Sequence, residues 1–233
     1  MKLQNNKDKD KYSGNAKIER KTTAPTENKD YSVKPNDRVF VCGKTGSGKT
    51  TLVKYLLATA KRLIVIDGKD GIRDKWNLED YKANRENKNR IINNEDFRFR
   101  LINNYEDIIE VLNLVYDTGN IDDTRPVIIY IDEIVATIPN PKKVPQIFID
   151  LLQRGRSRKI GVWGNTQRPV NVPKVFISEA EHIFLFTLNL EDDRKAVASS
   201  VGKAAMIKPT DTYGFYYYNL NDNKLTYYKR LNI

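Results

Sequence analysis

The stretch "VFVCGKTGSGKTTLVKYLL", from Val39 to Leu57, passes from a short apolar run through a glycine-rich loop into a helical pattern. The first three residues predict a buried strand. The apolar positions after the loop share one helical face, formed by Leu52, Val53, Leu56, Leu57 and Ala60. A strand, a loop of the form GxxxxGKT and a helix in this order are typical of a phosphate-binding loop. The alternative is an ordinary glycine turn between a strand and a helix.

The chemistry of the loop supports the phosphate interpretation. Glycines at 43, 46 and 48 allow backbone N–H groups to turn inward around an anion. Lys49 would place a positive charge at the β and γ phosphates, Thr50 would ligate Mg²⁺, and the helix dipole would point at the same place. We therefore expect ATP and Mg²⁺ as ligands, although no residue stands out as a reader of the base. The predicted nucleotide-binding residues are Gly43, Lys44, Thr45, Gly46, Ser47, Gly48, Lys49, Thr50 and Thr51.

Composition bounds the function. The chain has 233 residues and a net charge of +10, with one cysteine and one histidine. The charge favours a polyanionic partner, with an ordinary solvated basic surface as the alternative. A lone histidine, His182, argues against histidine metal clusters and a histidine-based hydrolase triad, and we interpret it as a strand-entry residue. Without an apolar run of transmembrane length, we expect a soluble, intracellular protein with no membrane partner.

We expect one folded domain over residues 37–233, preceded by a flexible basic arm over 1–36. The arm would either contact nucleic acid or a partner, or serve as a solubilising tail. A charged insertion is expected at about 69–98, and a β-hairpin with aromatic alternation at about 213–230. The hairpin tyrosines would either stack on bases or, as we favour, pack across strands. The insertion would place cations beside a phosphate backbone or remain a solvated surface; they are Lys69, Arg73, Lys75, Lys82, Arg85, Lys88 and Arg90.

The second informative stretch is "VIIYIDEI", from Val127 to Ile134. Its apolar and β-branched residues predict a central parallel strand that is buried on both faces. Ligands of open parallel sheets sit at the carboxyl ends of strands, where Asp132 and Glu133 fall. Asp132 would hold Mg²⁺ through water, and Glu133 would polarise the water that attacks the γ-phosphate. The alternative is two acids in a surface turn.

The third stretch is "LLQRGRSRKIGVWGNTQRP", from Leu151 to Pro169. It predicts the end of a helix and then a strand whose carboxyl end carries Gln167, which could orient the γ-phosphate or the water. Arg154, Arg156 and Arg158 crowd the approach to this strand. An arginine near a transferring phosphoryl group stabilises its charge. The alternative is a set of cations favoured by a helix C-terminus.

Together, "GKTGSGKTT", "IIYIDE" and "RSRKIGVWGNTQRP" resemble the FtsK/HerA superfamily of DNA-translocating ATPases, over about Arg38 to Leu190. The resemblance implies an α/β fold, the RecA-like ASCE P-loop NTPase core, with a mainly parallel central sheet flanked by helices. It implies that Arg156 is a trans-acting arginine finger, with Arg154 the second candidate, and that Gln167 is a polar sensor. The catalytic set would then be Glu133, Lys49, Arg156, Gln167 and Arg154, and the metal set Thr50 and Asp132.

The small size is similar to that of the viral genome-packaging members of this superfamily. The resemblance implies a homo-oligomeric ring, a hexamer or pentamer, around double-stranded DNA, with ATP hydrolysed between subunits. A packaging motor would work in the host cytoplasm or with the virion, and would have a capsid portal or vertex protein as a partner. The alternatives are a cellular or plasmid translocase in repair or transfer, a nucleotide-dependent DNA-binding switch, and a small-molecule kinase.

Overall fold

The computed structural model describes residues 18–20, 31, 33–72, 76–102, 104–119 and 125–230. Its strands are β1 (Ile18–Arg20), β2 (Val39–Cys42), β3 (Arg62–Asp67), β4 (Glu79–Asp80), β5 (Phe97–Ile102), β6 (Val127–Asp132), β7 (Ile160–Thr166), β8 (His182–Leu185), β9 (Phe215–Asn219) and β10 (Lys224–Tyr228). Its α-helices are α1 (Lys49–Leu56), α2 (Arg85–Ile92), α3 (Tyr105–Thr118), α4 (Ile134–Thr137), α5 (Gln146–Arg154), α6 (Lys174–Ser178) and α7 (Glu191–Val201). Short 3₁₀ turns follow α5, β7 and α7. In these ranges, no helix is long and apolar enough to cross a bilayer.

All of the described strands join one sheet, in the order β1-β10-β9-β8-β2-β7-β6-β3-β5-β4. The seven strands from β8 to β4 run parallel, so their carboxyl ends lie along one edge. The strand before the glycine loop, β2, is central and lies between β7 and β8. The predicted mainly parallel α/β sheet is therefore confirmed.

The core has two layers because the central strands are buried on both faces. Alternate residues of a strand point to opposite faces, and Phe40 and Val41 of β2 accordingly lie in different apolar clusters. One layer contains the buried faces of α3 and α5, and the other contains that of α1. This double burial explains why β2, β3 and β6 are almost continuously apolar.

The predicted C-terminal hairpin is confirmed as the antiparallel pair β9 and β10. Its aromatic residues pack in cross-strand pairs, such as Tyr216 with Tyr227 at a ring distance of 5.0 Å and Phe215 stacked on Tyr228 at 5.3 Å. These side chains are buried. Cross-strand packing, the favoured interpretation, therefore accounts for the tyrosines of the two strands.

Parts of the expected flexible arm are packed onto the domain. Ile18–Arg20 pairs in parallel with β10, and Tyr31 is buried among aromatic rings that include Phe184 and Tyr217. The backbone at Pro35 crosses β7 so closely that a Cβ on Gly161 would lie 2.0 Å from the Pro35 carbonyl oxygen. The structure therefore packs these parts of the predicted arm on the domain, whereas residues 1–17, 21–30 and 32 of the arm lie outside the described residues.

The charged segment at about 69–98 has secondary structure that the sequence analysis did not predict. It contains β4 and α2 and runs into β5, which joins the sheet beside β3. Asn84 caps α2 by accepting a hydrogen bond of 2.8 Å from the Asn87 amide, a typical N-cap. Phe97 and Phe99 of β5 are in the core. Arg73 and Lys75 lie outside the described residues.

Candidate functional site

The loop between β2 and α1 has the geometry of an anion cradle. Gly46 and Gly48 have left-handed backbones with φ of 72° and 102°, and at Gly43 a Cβ would lie 2.5 Å from Cβ of Phe186. The Lys44 amide donates to the Thr187 carbonyl at 2.8 Å and so fixes the loop to the segment after β8. The three glycines are therefore required by conformation and by close approach.

Two polar side chains are buried in this cradle. Lys49 is buried, and its Nζ donates to the Lys44 carbonyl at 2.9 Å. Burial lowers the Lys49 pKa below its usual value, opposed by the negative charge of Glu133. Among the described atoms, the buried Ser47 hydroxyl has no hydrogen-bond partner. A buried cation and an orphaned hydroxyl indicate a site built for an anionic ligand.

The outer residues of the cradle face solvent: Lys44, Thr45, Gly46, Thr50 and Thr51. Thr50 and Thr51 lie in the first turn of α1, where free backbone N–H groups and the helix dipole attract an anion. Within the described ranges, no three His, Cys, Asp or Glu side chains group to hold a metal ion. The oxygen atoms of Thr50 and Asp132, together with phosphate oxygens and water, would form the mixed set that Mg²⁺ prefers.

Asp132 ends β6 at the same edge of the sheet, and two donors fix its carboxylate. Its Oδ1 accepts hydrogen bonds from the Tyr130 hydroxyl at 2.7 Å and from Asn165 Nδ2 at 2.9 Å. Burial raises the pKa of Tyr130 well above its usual value, and the charge of Asp132 raises it further. Tyr130 therefore remains a proton donor to Asp132.

Glu133 is buried and has a left-handed backbone, with φ of 69° and ψ of 86°. Its Oε1 accepts a hydrogen bond of 2.8 Å from the Thr166 hydroxyl, and its Oε2 pairs with Lys69 Nζ at 3.2 Å. A left-handed backbone at a bulky residue is strained, and such strain concentrates at active sites. The structure thus holds the Glu133 carboxylate in one orientation at the carboxyl edge of the sheet.

Gln167 follows β7 and connects this strand to the glycine loop. Its Oε1 accepts a hydrogen bond of 2.7 Å from the Thr45 hydroxyl. The structure therefore brings Gln167, the loop, Asp132 and Glu133 to one edge, as the sequence analysis expected. From this position, Gln167 is able to contact a terminal phosphate that is bound by the loop.

The arginines lie at the opposite edge. Arg156 and Arg158 are in the 3₁₀ turn before β7. The seven residues of β7 separate them from Gln167, a distance of about 23 Å at about 3.3 Å per residue. Arg156 pairs with the buried Glu181, Arg154 lies 3.5 Å from Asp150, and the Arg158 guanidinium lies 4.3 Å from the centre of the Tyr116 ring. None of them can reach the loop of its own chain.

Sequence reasoning missed the partners of the acids: Tyr130, Asn165, Thr166 and Lys69 as an ion-pair partner of Glu133. The sequence analysis interprets Lys69 as a cation that either lies beside a phosphate backbone or belongs to a solvated surface. The available signal was position, because Asn165 and Thr166 directly precede Gln167 and Lys69 follows β3 by two residues. Residues that end neighbouring parallel strands meet at one edge.

Comparison with known proteins defines the class. Residues 39–188 match the family model described as ATPase family associated with various cellular activities (AAA). The chain therefore belongs to this family, and it is a P-loop ATPase. Its range of matched residues contains the glycine loop, both acids and Gln167.

The chain is also similar to particular proteins. It is 31% identical over 183 residues to the DNA packaging ATPase P9 of Enterobacteria phage PRD1, with 72% of each chain covered. The genome packaging NTPase B204 from Sulfolobus turreted icosahedral virus 2, solved with AMP, has a TM-score of 0.70 at 17% identity, over 86% of this chain and 100% of that one. The pCW3 conjugation coupling protein TcpA has a TM-score of 0.58 at 14% identity, over 84% and 61%. The two solved structures support the fold, and the predicted relationship to packaging ATPases is confirmed.

Proposed function

We propose that this protein is an ATP-driven translocase of double-stranded DNA that acts as the genome-packaging motor of a virus. The observation that carries the proposal is its similarity to the packaging ATPase P9 over 72% of both chains, and the position of the glycine loop, Glu133 and Gln167 at one sheet edge supports it. Viral packaging implies a portal or vertex protein of the capsid as a partner. It also implies work in the host cytoplasm or with the virion.

In the proposed reaction, the loop amides and Lys49 bind the triphosphate, and Glu133 accepts a proton from the water that attacks the γ-phosphate. Thr166 holds Glu133 in position through its 2.8 Å hydrogen bond. Gln167 responds to the terminal phosphate and transmits its presence to β7. A bound Mg²⁺ would stabilise negative charge on the phosphate oxygens.

The arginine is supplied by a neighbouring subunit in this proposal. Arg156 lies at the edge of the sheet opposite the glycine loop, a position that supports a role at a site on another chain. A closed ring of like subunits, a pentamer or hexamer, offers each loop the arginine edge of its neighbour. Arg154 is the second candidate for the same role.

The net charge of +10 supports a polyanionic track. Contacts to backbone phosphates are independent of sequence and release counterions, so binding weakens steeply as salt rises. A motor that packages a whole genome needs this lack of sequence preference.

The test is steady-state ATP hydrolysis by the purified chain with and without long duplex DNA, at about 50 mM and about 200 mM salt. We expect DNA to stimulate turnover several-fold at low salt, and the stimulation to fall at the higher salt. A Glu133→Gln preparation, purified in parallel, controls for contaminating ATPases. Turnover that is indifferent to DNA at both salt concentrations would contradict translocation while leaving ATP hydrolysis intact.

A further inference from the structure

Tyr213 lies beside the glycine loop, although it belongs to the turn before the C-terminal hairpin. A Cβ on Gly48 would lie 3.5 Å from Cδ1 of the Tyr213 ring, so the ring packs against the loop where α1 begins. Tyr213 is nevertheless 54% exposed. The tyrosines of the hairpin strands are buried: Tyr216, Tyr217, Tyr218, Tyr227 and Tyr228. Cross-strand packing therefore explains those five residues but not Tyr213.

The backbone of Tyr213 is left-handed, with φ of 64°, a conformation that is unfavourable for an aromatic residue. The turn is fixed by its surroundings. The Gly214 amide donates to the Asp211 carbonyl at 2.9 Å, and the Tyr227 hydroxyl donates to Asp211 Oδ2 at 2.6 Å. Glycine would adopt this conformation without strain. Backbone strain at an aromatic residue with an exposed ring indicates a functional role for that ring.

Sheet order defines which part of a bound nucleotide would lie near this ring. Glu133 and Gln167 follow β6 and β7, on one side of β2, so the terminal phosphate lies on that side. The rest of the nucleotide then extends past Gly48, because the loop and the first turn of α1 hold the inner phosphates. On the other side of β2 are β8 and the hairpin, and the turn that precedes the hairpin carries Tyr213.

We propose that the Tyr213 ring stacks on the nucleobase of the nucleoside triphosphate bound by the loop. The inference rests on the proposed ATP hydrolysis at this site and adds a binding residue to it. Every base has an aromatic face, so stacking provides affinity without selecting adenine over guanine. The motif residues bind only phosphates and metal, and Tyr213 provides the missing contact to the base.

The test compares Tyr213→Ala, Tyr213→Phe and Tyr213→Gly with the wild-type chain in steady-state ATP hydrolysis, using inorganic tripolyphosphate as a competitive inhibitor. We expect Ala and Gly to raise the KM for ATP by roughly 10-fold, the order of one base–aromatic stacking contact, with kcat within about 2-fold. Phe should keep the wild-type KM. The inhibition constant of tripolyphosphate, which lacks a base, should not change in any variant.

Two controls separate stacking from support of the loop. Tyr213→Gly relieves the backbone strain, so its melting temperature should equal or exceed that of the wild type. Tyr105→Ala removes a comparably exposed tyrosine from α3 (52% exposed) and should leave the KM unchanged. An unchanged KM in Tyr213→Ala would overturn the inference, as would a parallel rise in the KM and the tripolyphosphate constant. A wild-type chain that neither bound nor hydrolysed ATP would overturn the proposed function itself, before any variant was compared.

Discussion

Glu133 differs from Asp132 in backbone conformation, and this difference gives the two carboxylates different hydrogen-bond partners. A strand continued through Glu133 would send the two carboxylates to opposite faces of the sheet. The left-handed backbone of Glu133, with φ of 69°, breaks this alternation. Asp132 then bonds to Tyr130 and Asn165, whereas Glu133 bonds to Thr166 and Lys69. Two adjacent acids thus acquire separate partners and separate proposed roles.

Replacement of Glu133 by glutamine tests its role as the base. Glutamine has nearly the same shape but cannot accept the proton of the attacking water, so turnover should fall by about 100-fold or more. Binding of ATP should persist because Glu133 lies between β6 and α4, not in the loop that binds the phosphates. The measurements are ATP turnover and nucleotide binding by titration on the same preparation.

Glu106→Gln is the matched control for this substitution. Glu106 is exposed in the first turn of α3, away from the glycine loop, so its variant should keep wild-type turnover. Unchanged turnover in Glu133→Gln would remove Glu133 from the reaction and favour a nucleotide switch over a motor.

The sequence predicted which residue types meet at the site but not how they pair. The loop, the acids and Gln167 are recognisable because each follows an apolar strand. The hydrogen bond between Thr45 and Gln167 joins residues 122 positions apart, and such a pair depends on strand order. Strand order is not contained in any local sequence pattern. The partners of the site residues could therefore be identified only from the structure.

At the scale of elements, the strands that were predicted are those with continuous apolar runs. They include β2, β3, β6 and β7, which are buried on both faces. One of the missed strands, β5, reads "FRFRLI", and its arginines Arg98 and Arg100 lie on the face opposite the buried phenylalanines. Arg98 is satisfied by carbonyl groups, among them Trp76 at 3.0 Å. The high charge of this segment favoured the prediction of a loop. The period-2 alternation of Phe and Arg in β5 would have indicated a strand.

A buried polar chain connects β2, β8 and β9 at the edge opposite the glycine loop. His182 Nε2 lies 3.0 Å from Asp37 Oδ2, and its Nδ1 lies 2.8 Å from the Tyr217 hydroxyl. Asp37 also accepts a hydrogen bond of 2.6 Å from the Lys34 amide. His182, expected as a strand-entry residue, is indeed the first residue of β8. These hydrogen bonds connect the turn before β2 to β8 and β9.

The hydrogen-bonded series of Asp37, His182 and Tyr217 should make the fold sensitive to acid. Burial by itself raises the pKa of Asp37, but the hydrogen bonds from His182 and the Lys34 amide hold it below its usual value. A carboxyl with a lowered pKa in the folded state contributes stability above its unfolded value of about 3.9, and this contribution is lost as pH falls through the folded pKa. Asp37→Asn should therefore lose less stability than the wild type between about pH 5 and about pH 3.

The measurement is the melting temperature across this pH range, with Asp117→Asn as the control. Asp117 is exposed near the end of α3, so its variant should follow the wild-type curve. At pH 7, Asp37→Asn should melt several degrees lower, since a buried hydrogen bond to a charged group is worth about 1.5–3 kcal/mol. Parallel curves for the wild type and Asp37→Asn would show that Asp37 is not the acid-sensitive group.

At the scale of the whole molecule, the chain carries the two halves of the proposed hydrolysis site at opposite edges of one sheet. The glycine loop, Glu133 and Gln167 are at the carboxyl edge, and Arg156 is at the amino edge beside Glu181. A β-strand is rigid on this length scale, so local rearrangement cannot bring Arg156 to its own loop. The arrangement favours hydrolysis between subunits, and it makes a prediction about mixtures that no single-site model shares.

The prediction concerns a mixture of Arg156→Ala and Glu133→Gln. Each variant alone should hydrolyse ATP at least about 100-fold more slowly than the wild type, because each lacks one half of every site. In mixed rings, a loop from an Arg156→Ala chain can meet the intact arginine of a Glu133→Gln neighbour. Random assembly in equal amounts makes such an interface with a chance of one half times one half, so about a quarter of wild-type turnover should return.

The same mixture made with Arg154→Ala distinguishes the two candidate arginines, and Arg158→Ala provides the control because Arg158 is held against Tyr116. If Arg156 is the finger, Arg154→Ala and Arg158→Ala should each retain turnover without mixing. Loss and recovery with Arg154→Ala alone would transfer the role to Arg154, two residues earlier in the chain. Arg154→Ala and Arg156→Ala could also both be inactive, with neither recovering in a mixture with Glu133→Gln. In that case the arginine would not act across an interface, because an arginine that acts on a neighbouring chain must restore activity when an intact copy is supplied.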